Sequence, residues 1–159
     1  MSINAILAVD DNLGLGFESG LPWPTNKEDM KWFSDNTRGN VVVMGRATWE
    51  SLNCQKLPNR LNVVISNHDL EGPDVVISGD MNSILFMLEN KYPENDIYVI
   101  GGADIYRQAL PCCDKLYITR VKGVYSCDTF MTNDELGIFT ETDYISDEDS
   151  ICIQIRSKS

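Results

Sequence analysis

Apolar residues along the chain gather into short runs separated by polar or glycine-bearing turns. The runs Ile3–Val9, Val41–Met44, Asn62–Ile65, Val75–Ile77, Ile97–Ile100 and Leu116–Val121 are nearly continuous and rich in β-branched side chains, as in strands covered on both faces. Ile151, Ile153 and Ile155 instead alternate with Cys152 and Gln154, and this period of two predicts an antiparallel edge strand near the C-terminus. Helical spacing appears between the runs. Thr25–Asn36 opens with Thr25 and Glu28 three residues apart, a capping-box pair. Arg46–Leu52, Met81–Glu89 and Ala103–Leu110 follow, the last ended by Pro111. Strands alternating with about four helices predict one α/β domain over residues 1–159, built on a central, mostly parallel sheet with an antiparallel C-terminal edge strand.

Composition narrows the function. The chain has 159 residues, 43% of them apolar, and a chain of this length buries roughly 70% of its unfolded surface without staples. Five cysteines, with no pair spaced as Cys-x-x-Cys, give no basis for a disulfide framework or a structural zinc site, so no metal is expected. The net charge is −11, which counts against a nucleic-acid partner or an anionic membrane. No apolar run is long enough to span a bilayer, and the first basic residue is Lys27, so the charged opening of a secretory signal is missing. A reduced, cytoplasmic protein, acting as a monomer on a small molecule, is the expectation. Residues 123–155 hold eight acidic and no basic side chains and read as solvated surface, whereas 27–122, with 11 basic and 13 acidic residues, are nearly neutral. An anionic small molecule would be held in that middle region by a few placed cations.

Two features there could carry chemistry. In the helix after Pro22-Trp23-Pro24, Asp29 shares a face with Trp32 and Phe33, three and four residues on. The carboxylate either stabilises the positive end of its helix or lines an apolar cleft as a functional group; a capping box already serving that end favours the second reading. The other feature is a pair of strand-to-helix turns. Val99-Ile100-Gly101-Gly102-Ala103-Asp104-Ile105-Tyr106 places two glycines between a strand and a helix, and Val43-Met44-Gly45-Arg46-Ala47-Thr48 places a glycine, a cation and a hydroxyl at another such junction. Together they fit a pyrophosphate-bearing cofactor gripped between two helix starts. The Gly-x-Gly-x-x-Gly fingerprint of an ordinary Rossmann domain is absent.

With these segments the sequence resembles the dihydrofolate reductase family from Ile3 to Ile155. The resemblance rests on Leu15-Gly16 with Leu21-Pro22-Trp23, Asp29 to Phe33, Met44 to Ser51, Leu57-Pro58-Asn59-Arg60, Val99 to Tyr106, Leu116-Tyr117-Ile118-Thr119 and Cys127-Asp128-Thr129-Phe130. It implies reduction of 7,8-dihydrofolate to tetrahydrofolate by hydride transfer from NADPH. Asp29 would then be the ionisable group of the pteridine pocket, binding the 2-amino group and N3 and supporting protonation of N5 through a water, with its pKa raised by desolvation. Thr119 would orient it. Ile6, Leu7 and Ile100 would lie at the pteridine, the carbonyls of Ile6 and Ile100 at its edge, with Phe33 and Leu57 against the rings and Arg60 on the glutamate α-carboxylate. Leu21 and Trp23 would belong to a closing loop, and Tyr106 to the contact between the nicotinamide and the pteridine.

For the cofactor, the resemblance assigns Ala8, Leu15 and Gly16 to the nicotinamide side. Gly45, Arg46, Ala47 and Thr48 would grip the pyrophosphate from one turn, and Gly101, Gly102, Ala103, Asp104 and Ile105 from the other, with Thr129 nearby. Gly101–Gly102 would be a cis peptide, and Ser66, Asn67 and His68 fall where the 2′-phosphate is read. Ala47 and Asp104 stand where relatives carry cations, which leaves Arg46 as the main countercharge. The alternative is a non-catalytic folate- or nucleotide-binding module within a larger assembly. The reductase domain of riboflavin biosynthesis shares the fold but does not need the Asp29–Phe33 and Arg60 set.

Overall fold

The computed structural model describes residues 2–16, 26–148 and 150–158. The chain runs through β1 (Ile3–Val9), β2 (Gly14–Gly16), α1 (Lys27–Thr37), β3 (Val41–Gly45) and α2 (Arg46–Ser51). It continues with β4 (Leu61–Ile65), β5 (Val75–Ile77), α3 (Met81–Lys91), β6 (Ile97–Gly101) and α4 (Ala103–Ala109). Pro111 ends that helix within a 3-10 turn at Leu110–Cys112, and β7 (Lys115–Val121), β8 (Thr129–Phe130), α5 (Asn133–Leu136), β9 (Glu141–Asp147) and β10 (Ile151–Ser157) complete the chain.

Eight strands form one sheet in the order β5-β4-β3-β6-β1-β7-β10-β9. All pairings from β5 to β7 are parallel, and β10 runs antiparallel to both its neighbours. The expected antiparallel C-terminal strand is present, but it is not the edge, because β9 pairs along its outer side. The segment Glu141-Thr142-Asp143-Tyr144-Ile145-Ser146-Asp147 is mostly exposed; its charges suit an edge that must not recruit further strands, and they hide it from a search for apolar runs.

Alternation along β1 divides the core. Ile3, Ala5, Leu7 and Val9 face one side, with Ile84, Leu85 and Leu88 of α3. Ile6 faces the other, with Val42, Met44, Trp49, Val64 and Tyr98, against which Trp32 and Phe33 of α1 pack. Helix α1 starts at Lys27, not at Thr25: Asn26 is the N-cap, and its side-chain oxygen accepts the Asp29 amide at 3.1 Å. The expected Thr25–Glu28 box is thus replaced by a cap one residue later, and Thr25 itself lies outside the described residues. A reciprocal capping box does form at α5, between Thr132 and Glu135.

Just beyond β1, the fully buried Asp10 organises two loops. Its carboxylate accepts the amides of Asn12 at 2.9 Å, Gly14 at 2.8 Å and Tyr125 at 3.0 Å, and the Cys127 thiol at 3.5 Å. The β1–β2 turn is thereby tied to the β7–β8 loop, and β2 and β8 pair directly. A Cβ at residue 14 would collide with Cys127 Sγ, so the close approach requires glycine. Burial alone would push the Asp10 carboxyl up, but the donors from Tyr125, Gly14, Asn12 and Cys127 outweigh it and hold the group below the usual carboxylate range. Its stabilisation is therefore present above the unfolded-state value of about 3.9 and is lost as pH falls through the lower native value. Asp10→Ala strands three amides and should lower the unfolding free energy by about 2–4 kcal/mol, seen as a lower urea midpoint at pH 7. A midpoint within error of wild type would refute this role.

Candidate active site

Asp29 sits in the first turn of α1, half-buried, on the face that carries Trp32 and Phe33 toward the sheet. The register of β1 against β7 pairs Ala8 with Thr119, and the buried Thr119 hydroxyl hydrogen-bonds the Asp29 carboxylate. Among the described residues no cation pairs with Asp29. Burial raises its pKa above the ordinary aspartate value, and the Thr119 bond offsets only part of that rise. Ile6, Phe33, Leu57 and Ile100 belong to the apolar group on this face. Leu7 packs its side chain into the opposite core, so it offers this pocket backbone atoms alone. Tyr106 is buried and donates its hydroxyl to the Ile6 carbonyl at 2.7 Å. Burial first, and then the charge of Asp29, push the phenol well up, which keeps it a neutral donor.

Arg60 marks the far end of the same face. Its Nε donates to the Pro58 carbonyl at 2.9 Å, its Nη1 to Thr37 Oγ1 at 3.1 Å, and the guanidinium lies 5.9 Å from the Phe33 ring centre. Burial and, secondarily, the charge of Arg38 depress its pKa, and among the described residues it has no carboxylate partner. The segment that carries it is held from below by Asn62, which is fully buried, accepts the Leu57 amide at 2.9 Å and donates to the carbonyls of Leu57 and Arg60, each at 3.0 Å.

A cleft of about 700 Å³ opens beyond the carboxyl ends of β3 and β6, where open α/β sheets bind ligands. One wall is Gly45, Arg46, Ala47 and Thr48; the other is Gly101 to Tyr106, and the Gly101–Gly102 peptide is cis. Ala8, Leu15 and Thr129 also line it. A Cβ on Gly102 would meet only Thr48 Oγ1, at 3.7 Å, so the backbone there faces open space. Ile100 borders the cleft and also packs on the buried cluster that Phe33 joins, so the two compartments meet at that strand.

Not every expected residue is in that wall. Gly16 lies in β2, one residue past Leu15. Ser66, Asn67 and His68 lie beyond Ile65, the last residue of β4 to reach the cleft, and Ser66 Oγ accepts the His68 amide at 3.1 Å. Leu21 and Trp23 lie outside the described residues. The structure adds Ser51, Arg107 and Asp128. Arg107 adds a second cation to Arg46, the expected main countercharge: it stands a turn beyond Ala103 and pairs with Glu135 at 2.8 Å, while Arg46 pairs with Glu50 at 3.3 Å. The helical spacing from Ala103 would have disclosed it. Among the described residues no cluster of side chains could hold a metal ion.

A half-buried, hydrogen-bonded carboxylate on an apolar face that meets, at Ile100, a glycine-lined, cation-bearing cleft is the layout of an α/β oxidoreductase that places a nucleotide cofactor beside its substrate. Residues 2–154 match the family model described as dihydrofolate reductase. The chain is 40% identical over 121 residues to the dihydrofolate reductase of Buchnera aphidicola subsp. Schizaphis graminum, covering 76% of this chain and 73% of that one. It is 35% identical over 145 residues to that of Drosophila melanogaster, covering 82% and 79%. The dihydrofolate reductase of Enterococcus faecalis, solved in complex with NADP(H) and RAB-propyl, superposes with a TM-score of 0.87 at 28% identity, over 99% of this chain and 96% of that one. The chain belongs to the dihydrofolate reductase family.

The raised pKa of Asp29 has a stability consequence of fixed sign. The native state binds this proton more tightly than the unfolded chain, so stability falls as pH rises from about 3.9 through the native value. Asp29→Asn removes the partly desolvated charge and should leave the protein more resistant to urea at pH 7, with the gain shrinking as pH falls toward 4. A variant less stable than wild type at pH 7, or a gain that does not change with pH, would contradict the assigned desolvation.

Proposed function

We propose that this chain reduces 7,8-dihydrofolate to 5,6,7,8-tetrahydrofolate with NADPH, as a cytoplasmic monomer. The observation that carries the proposal is Asp29: a carboxylate that no cation among the described residues neutralises, met by the buried Thr119 hydroxyl, on an apolar face whose Ile100 also lines the cofactor cleft.

The residues of the cleft fit NADPH. Arg46 and Arg107 supply positive charge, Thr48 and Ser51 supply hydroxyls, and the backbone at Gly102 leaves room for close approach. When bound, NADPH supplies the hydride. The chain's own residues do the rest. Asp29 accepts hydrogen bonds from the pteridine 2-amino group and N3, and its negative charge favours arrival of a proton at N5 through a water. Thr119 fixes the carboxylate's orientation. The Ile6 carbonyl, already taking the Tyr106 hydroxyl, has a second lone pair for the pteridine edge, and the Ile100 carbonyl serves beside it. Phe33 and Leu57 bracket the rings, and Arg60 takes the α-carboxylate in a bidentate pair. Ser66, Asn67 and His68 read the 2′-phosphate.

Mixing the protein with NADPH and dihydrofolate should deplete the reduced-nicotinamide absorbance; no loss beyond a protein-free control would leave a binding module as the better description. Asp29→Asn should lower turnover at pH 7 by about 10²–10⁴-fold while NADPH affinity stays near wild type. Undiminished turnover removes Asp29 from the chemistry. Arg60→Leu should raise the Michaelis constant for dihydrofolate steeply, since truncating one partner of such a pair costs about 2–5 kcal/mol. It should leave reduction of a pterin lacking the glutamate tail unchanged. Equal losses with both substrates would make Arg60 structural.

A further inference from the structure

A second cavity, of about 580 Å³, lies on the sheet face turned away from Asp29. Strand alternation sets its lining. Thr119 faces Asp29, so its neighbours Ile118 and Arg120 face the other way, and on β10 Gln154 and Arg156 do the same. Its floor is apolar, made by Val9, Leu13, Ile118 and Leu136. Its charged lining is Arg120, Arg156 and the carboxylate of Asp11, a positive balance in a chain whose net charge is −11.

The two guanidinium groups are not equivalent. Arg156 is half-buried and donates to Gln154 Oε1 at 2.7 Å, and among the described residues it has no carboxylate partner. Arg120 pairs with Asp11 at 3.4 Å, but both side chains are well exposed, so that contact exchanges readily with solvent or another anion. The side-chain amides of Asn12 and Asn133 border the same space and have no partner among the described residues. Arg120 lies opposite Cys152 in the ladder, and Arg156 is four residues further along β10, about 13 Å of strand. The cavity therefore has a cation toward each end, an apolar middle, and a volume within the range of small-molecule sites.

We propose that this cavity binds a small organic dicarboxylate, one carboxylate on Arg156 and Gln154, the other on Arg120, with the apolar body across Ile118. A monoanion would satisfy one guanidinium and leave the other to water, and a forked guanidinium matches a carboxylate in a way that a halide does not. The site is separate from the reductase pocket and stands whether or not that reading holds.

Adipate is the probe. Titrated into the full chain at constant ionic strength, it should shift the backbone amide resonances of Arg120, Gln154 and Arg156 saturably, with NADPH present or absent. Arg156→Leu should weaken adipate binding at least about tenfold, as loss of charge-assisted hydrogen bonds does, and leave NADPH binding unchanged, which also certifies the fold. Butyrate should bind far more weakly. The wild-type titration decides on its own should the variant not fold. The proposal is overturned by an absence of saturable shifts, by butyrate binding as well as adipate, by undiminished binding in the folded variant, or by shifts confined to residues around Gly45 and Gly102.

Discussion

The register of β1 against β7 decides what each face of this molecule can do. With Ala8 opposite Thr119, one set of side chains meets α1 and Asp29, and the set between them meets the second cavity. Because side chains alternate with a period of two, a slip of one residue would turn Thr119 away from Asp29 and bring Ile118 and Arg120 beneath α1. The buried runs on both strands forbid that slip: Ala5 and Val9, fully buried, would trade places with residues matched to the other core.

The chemistry then rests on an imbalance the fold maintains. Asp29 shares a helix face with Trp32 and Phe33, is partly desolvated, and among the described residues is met by the Thr119 hydroxyl, so its charge is less well solvated than it would be in water. The cost falls on stability, and it leaves a carboxylate whose hydrogen-bonding capacity is free for a ligand rather than spent on an internal ion pair. Arg60 repeats the logic with the opposite sign: Pro58, Thr37 and the Phe33 ring position the guanidinium, and among the described residues no carboxylate quenches it. Two charges left unpaired among the described residues, at opposite ends of one apolar surface, describe the ligand that would pair them.

Much of this could be read in the chain. The seven strands signalled by apolar runs are present to within a residue or two at their ends, since continuous β-branched runs have few other uses. Asp29 stood out because a carboxylate on an apolar helix face is energetically conspicuous, and both glycine turns announced a close backbone approach. What escaped notice lacked such a signature. β2 and β8 are too short for periodicity, β9 is polar because it is an edge, and α5 is a single turn. Arg107 is legible only through its helical spacing from Ala103, and the Asn26 cap lies one residue from a pattern that fits the capping box better. Asp10 is the clearest case: its role depends on Tyr125 and Cys127, more than a hundred positions away in sequence, and no local pattern carries that information.

The fit between Gly14 and Cys127 constrains how this protein can vary. The absent side chain at one position and the thiol at the other occupy the same few ångströms, so the two behave as one unit of heritable change. A larger residue at 14 becomes acceptable only in a background where 127 has already been made smaller, and Asp10 must keep its amide donors throughout. In any recombination of this chain with a relative, a crossover between residues 14 and 127 is where compatibility will be won or lost, because it separates two halves of a single steric solution.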